Sequence, residues 1–177
     1  MDNHSTQFST RLWDYALTLY AHPGVANACL TLQDKAGADV CELLWLCWLD
    51  RLGLTTDAHA AAVLAPIRDS QTTLTRLLRE RRRELKPLAT PGSRLAEWRA
   101  AIKGAELAAE RGTLVQLQAL TEHGRGVRPL HQDDAALITR LIRHIGCRRS
   151  AVSDPLSILV ATASIRPSND STPAPKP

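Results

Sequence analysis

Apolar residues recur along most of the chain with the spacing of one face of a helix, and no stretch alternates with the period of two of a half-buried strand. The pattern predicts an all-α fold. One segment departs from it: in Ala38 to Gly53, ADVCELLWLCWLDRLG, Val, Leu, Trp and Cys occupy nearly every position between an acidic start and a glycine stop. A helix apolar on almost every side must be enclosed by others, so this one is the expected hub of a compact orthogonal helical bundle.

Around the hub the sequence predicts about six helices. Ser9 is placed to cap the first, with Leu12, Tyr15, Ala16 and Leu19 inward, and His22-Pro23-Gly24 ends it. Pro23 suits the first turn of a second helix carrying Val25, Ala28, Cys29 and Leu32, which Gly37 stops. Asp39 followed by Glu42 reads as a capping box opening the hub, and Gly53 closes it. Asp57 caps the next stretch, in which Pro66 predicts a kink or a break before an amphipathic helix to Lys86. After Pro87, Pro91 and Gly92, Ser93 opens a helix from Arg94 to about Glu122, weakened by Gly104 and Gly112. His123 to Pro129 reads as a glycine-rich loop. Asp133-Asp134 opens a last helix with Leu137, Ile138, Leu141, Ile142 and Ile145 inward, capped by Gly146.

This divides the chain into a flexible N-terminus at 1–8, one helical domain at 9–146 and a disordered Pro- and Ser-rich tail at 147–177. Within the tail, Leu156 to Ala161 is an apolar patch suited to docking back on the domain or meeting a partner.

The segment LWDYALTLYAHPGVANACLTLQDKAGADVCELLWLCWLDRLGL, Leu12 to Leu54, resembles the opening of a small bacterial family of uncharacterised helical proteins, the domain of unknown function 2390 type. LQDKAGADV followed at once by the Trp and Leu run is its most specific part. LLRERRRELK and IKGAELAAE are similar to the family's second half, so the resemblance extends over roughly Leu12 to Ile145. It implies a helical, cytoplasmic protein and brings no activity, cofactor or catalytic residue.

With 44% hydrophobic and 23% charged residues, the composition is that of an ordinary globule. Met1 to Thr10 lacks a cationic start and an apolar signal core, and the hub falls short of the roughly 20 residues that span a bilayer. A cytoplasmic location without a membrane span is therefore expected. Cys29, Cys41, Cys47 and Cys147 form no CxxC pair, and no histidine falls in an HExxH arrangement, so neither a metal site nor a cofactor is expected. His144, near a helix C-terminus, reads as a favourable dipole contact. HGRGVR resembles a phosphate loop only superficially, because it lacks a preceding strand and a GK[ST]. Trp45 and Trp48 read as core, with Trp13 and Trp98 closing it.

Candidate chemistry comes from charges inside apolar stripes. Arg81 projects into the face formed by Ile67, Leu74, Leu78 and Leu85. Glu106 falls near the centre of the stripe of Leu95, Trp98, Ile102, Ala109, Leu117 and Leu120, with Glu110 at its edge and Lys103 farther round. An ionised side chain is very rarely buried alone, so Arg81 and Glu106 are expected to pair. They either fix the register of two helices or, with Lys103 and Glu110, line a pocket for an anionic or amphipathic ligand. The outward face carries Arg76, Arg79, Arg83 and Lys86, with Arg68 and Arg82 adding to the field; this suits phosphates, RNA or a ribosomal surface before sequence-specific DNA. Glu80 and Glu84 dilute it, and no aromatic residue is interleaved to stack on bases.

Lacking a reactive constellation, the chain is expected to be a non-enzymatic interaction or adaptor protein whose partner is another protein. The alternatives are a small-molecule binder or enzyme at the Arg81/Glu106 pocket, and RNA or ribosome association through residues 76–86.

Overall fold

The computed structural model describes residues 11–146 and 152–165. Ser9, the expected flexible N-terminus, Cys147 and the end of the expected tail lie outside them. In chain order the elements are α1 (Leu12–Tyr20), α2 (Val25–Ala36), α3 (Val40–Arg51), β1 (Leu54–Thr56), α4 (Ala60–Leu85), α5 (Arg94–Glu122), β2 (Val127–Pro129), α6 (Leu137–Ile145) and α7 (Ser153–Ala163). The fold is all-α apart from one small ribbon.

Helix α3 is the hub. Every residue from Cys41 to Leu49 is buried, and α1, α2, α5, α6 and α7 all pack on it. Trp45 fills the centre and its indole N–H donates to Thr121 Oγ1 at 2.9 Å, so the largest side chain in the core buries no unpaired donor. Asp39 caps the helix as predicted, its Oδ1 accepting from the Glu42 amide at 3.0 Å. The reciprocal half of the capping box is missing, because the Glu42 side chain turns to Arg68 and His144 instead.

Five local expectations change. Asp57 does not cap α4, whose N-cap is His59 with no side-chain cap bond. Pro23 precedes α2, whose N-cap is Gly24 at φ 85°. Helix α4 runs unbroken through Pro66, forfeiting one ladder bond while Leu64 and Ile67 pack into the core on either side. Thr55 pairs with Arg128 at the centre of an antiparallel ribbon, β1 on β2, too short for any periodicity to announce. Asp134 does not cap α6; it takes Arg128 in a two-point ion pair at 2.6 and 2.8 Å and accepts from the His131 amide.

The boundary expected at Gly146 moves outward. Helix α7 lies chiefly against α2, with Val152, Leu156, Leu159 and Ala163 buried in the common core. The apolar patch seen in the sequence thus docks back on the domain, giving seven α-helices among the described residues.

Helices α4 and α5 form a long hairpin, with α5 about 43 Å in length by its 29 residues. Its open end, where α4 begins and α5 ends, joins the body through Gly126, at φ 71°, whose carbonyl accepts from the Asp57 amide at 3.1 Å. A Cβ there would stand 2.6 Å from Val63 Cγ2 and 3.1 Å from the Ala60 backbone, so glycine is required both for the turn and for the close approach.

Candidate functional site

Where the hairpin passes the body, side chains from five helices enclose a groove of about 310 Å³. Trp13, Leu17 and Tyr20 come from α1, Leu30 from α2, Val40 and Leu44 from α3, and Leu107 and Leu114 from α5. Leu17, Leu30 and Leu107 are each about half exposed although they come from three different helices. Isolated apolar residues at a surface need no explanation, but apolar rims converging on one concavity make it a candidate binding site. The Arg111 guanidinium lies 5.2 Å from the Trp13 ring centroid and holds that wall.

The charged end comes from α4 and α5. Glu106 is buried and accepts from Arg79 Nε at 3.1 Å and from Arg82 Nε at 2.6 Å. Arg79 Nη2 also stands 3.6 Å from Glu110 Oε1. Burial alone would raise the Glu106 carboxyl, but the hydrogen bonds from Arg82 and Arg79 outweigh it and hold the group below the ordinary carboxylate range. Glu110, one turn on, moves the other way, pushed up by burial and then by the Glu106 charge. Burial likewise lifts the Tyr20 hydroxyl to about 12. Lys103 lines the groove and has no ion-pair partner among the described residues. Arg83 stands at the rim, paired with Asp34 at 2.8 Å.

The pairing expected of Arg81 is corrected. Arg81 is largely exposed and bonds Glu84 within its own helix, at 2.8 Å, while Arg79 and Arg82 take Glu106. The cause is the orientation of α4. Beyond Ile67 its inward face is polar, running through Arg68, Gln71, Thr75, Arg79 and Arg82, whereas Leu74 and Leu77 face out, about half exposed. The projection that placed Arg81 inward followed the leucines. Lys103, Glu106 and Glu110 do come together in the groove. Of the basic face, Arg76 and Lys86 point to solvent, Arg79 turns into the groove, and Arg83 is engaged by Asp34.

A second ionic centre went unseen in the sequence. Glu42, on the hub and fully enclosed, receives both Nε and Nη2 of Arg68 at 2.6 Å and meets His144 Nε2 at 2.5 Å. His144 therefore bridges α6 to the hub through a carboxylate, where a dipole contact was expected. Burial opposes ionisation of Glu42, yet the Arg68 and His144 bonds bring it down to about 2. Nearby, Arg140 bonds Asp50 and donates to Thr55 Oγ1 at 3.2 Å. The available signal was a carboxylate in each end turn of an otherwise apolar run, Glu42 and Asp50.

No helix among the described residues is long and apolar enough to cross a membrane. An all-α domain with an amphipathic groove beside its hub is thus the class that fold and site define. The family described as protein of unknown function DUF2390 matches residues 11–117, a segment holding every groove residue, and the chain belongs to that family. No curated protein and no solved structure matches it.

Proposed function

We propose that the protein binds an amphipathic anion, its apolar body laid against Leu17, Leu30 and Leu107 and its charged end toward Lys103 and Arg82. The observation that carries this reading is the composition of one concavity: an apolar floor closed at one end by Arg79, Arg82, Arg83 and Lys103 against only Glu106 and Glu110. The arginines near Glu106 are held in place by that carboxylate before any ligand arrives, which lowers the cost of ordering them on binding. The volume is in the range of small-molecule sites. Buried free thiols at Cys29, Cys41 and Cys47 suit a reducing compartment such as the cytoplasm.

Decanoate, decanol and decylamine, compared below their micelle-forming concentrations by thermal shift, test it. Decanoate is expected to stabilise saturably and decylamine not at all, with the shift lost in Lys103→Glu and in Leu107→Asp. Equal effects of all three, or retention in both variants, refute the proposal.

An adaptor role on a protein partner draws support from a different place: Leu74, Leu77, Leu88 and Trp98 are all about half exposed or more on the hairpin. An RNA surface draws less, since only Arg76 and Lys86 of its four residues remain outward and unengaged.

A further inference from the structure

A second cleft, about 430 Å³, opens at the start of α4 where the β-ribbon and α6 meet. Arg68, Arg128, Arg140, Arg143 and His144 line it, against the carboxylates of Asp57 and Asp134. Three of these guanidiniums are fixed by ion pairs. Arg68 is held by Glu42, Arg128 by Asp134 and Arg140 by Asp50, and Arg140 is further tied through the Ala135 carbonyl at 2.9 Å. Glu42 and Asp50 belong to the hub and do not line the cleft, so their charge sits behind the arginines while the arginines face the opening. Arg143 is the exception: it is exposed and has no ion-pair partner among the described residues. Apolar surface in the same cleft comes from the exposed Ala58 and Ala61, over the buried Leu46 and Leu64.

We infer that this cleft is a site for a small phosphorylated molecule. Its phosphate dianion is taken by Arg143, the one guanidinium of the cleft whose charge no carboxylate among the described residues counters, and the remainder of the molecule lies over the apolar surface of the cleft. The planar guanidinium fork suits two phosphate oxygens, and the neighbouring guanidiniums, already held in place by their own carboxylates, shape the cleft without further ordering cost. A lone ion would leave most of the cleft unfilled. The site is separate from the groove and does not rest on the reading given for it.

Pyrophosphate is the probe, titrated at constant ionic strength into the full chain and followed by calorimetry and thermal shift. Saturable binding is expected. Arg143→Gln is expected to weaken it about tenfold, as loss of a charge-assisted contact does, and Arg143→Lys by less. The groove variant Lys103→Gln is expected to leave it unchanged. Because Arg143 is exposed and has no ion-pair partner among the described residues, its variants should melt with the unliganded parent, so a lost shift reports binding and not folding. Absence of saturation overturns the inference, as does loss in Lys103→Gln with retention in Arg143→Gln. Displacement of pyrophosphate by single-stranded RNA at lower concentration would also overturn it, assigning the arginines to a nucleic-acid backbone.

Discussion

The body around α3 and the hairpin of α4 and α5 are held together by different means. In the body, nine consecutive residues of α3 are buried, and all but Glu42 are apolar. In the hairpin, no residue from Arg76 to Ala105 is buried, and the first enclosed side chain beyond that stretch is a carboxylate, Glu106. Burial of apolar area is non-directional and tolerates repacking, whereas an ion pair between helices fixes the rotation of one against the other. The difference teaches why the groove lies where it does. The hairpin approaches the body with a polar face, and the volume between that face and the apolar walls of α1 and α2 is left open to a ligand.

The largest test of this contrast is a pair of truncations. Trp45→Ala removes a fully enclosed indole and its bond to Thr121, and is expected to cost about 3–5 kcal/mol in denaturant unfolding. Leu77→Ala, on the exposed side of α4, is expected to change stability by roughly 0.5 kcal/mol or less. Comparable losses at the two positions would mean that the hairpin has an apolar core of its own, and the comparison would fail.

Acid tests the ionic link between the two regions next, since Glu42 is on α3 and Arg68 on α4. The Glu42 carboxyl is held at about 2 in the folded protein against an ordinary 4.5, so its pairing with Arg68 and His144 stabilises the fold fully above about pH 4.5. That contribution is lost as the pH falls from 4.5 toward 2, and its upper bound is on the order of 3 kcal/mol. Arg68 is 43% exposed, so solvent screening brings the figure down. Glu42→Gln should therefore unfold more readily than the parent near pH 6, and the gap should narrow as the two are compared toward pH 3. Glu110, raised by burial, titrates in each protein and cancels in the difference, whereas Asp39, raised by burial and also by the Glu42 charge, is partly relieved in Glu42→Gln. A gap independent of pH would show that Glu42 acts through shape and not charge.

Much of the body was legible in the sequence because its signals are redundant. The hub declared itself through unbroken apolarity, Asp39 through its position before that run, and α1 and α2 through stripes whose residues are buried as expected. The site was half legible. Lys103, Glu106 and Glu110 were found because charges inside the α5 stripe need partners, but the partner was misassigned to Arg81 because hydrophobicity reports the buried face only when the facing surface is apolar. Along α4 that condition ends at Ile67. The ribbon and α7 were missed for other reasons: three-residue strands carry no period, and a short helix among prolines is stabilised by the α2 surface it covers and not by its own propensity.

The smallest expected effects decide which arginines hold the hairpin. Glu106→Gln leaves Arg79 and Arg82 without their carboxylate at a site where Glu106 is almost enclosed, and is expected to cost about 2 kcal/mol, since both arginines keep partial access to water. Arg82→Gln should cost about half as much, because Arg79 still neutralises Glu106. Arg81→Gln breaks only the bond to Glu84 within one exposed helix, worth roughly 0.5 kcal/mol or less. A double-mutant cycle then separates the two partners: Glu106 and Arg82 should couple, and Glu106 and Arg81 should be additive. Coupling of Arg81 with Glu106 instead would turn α4 by roughly a third of a revolution and bring Leu74 and Leu77 toward the inside. The polar face that closes the groove would then be absent.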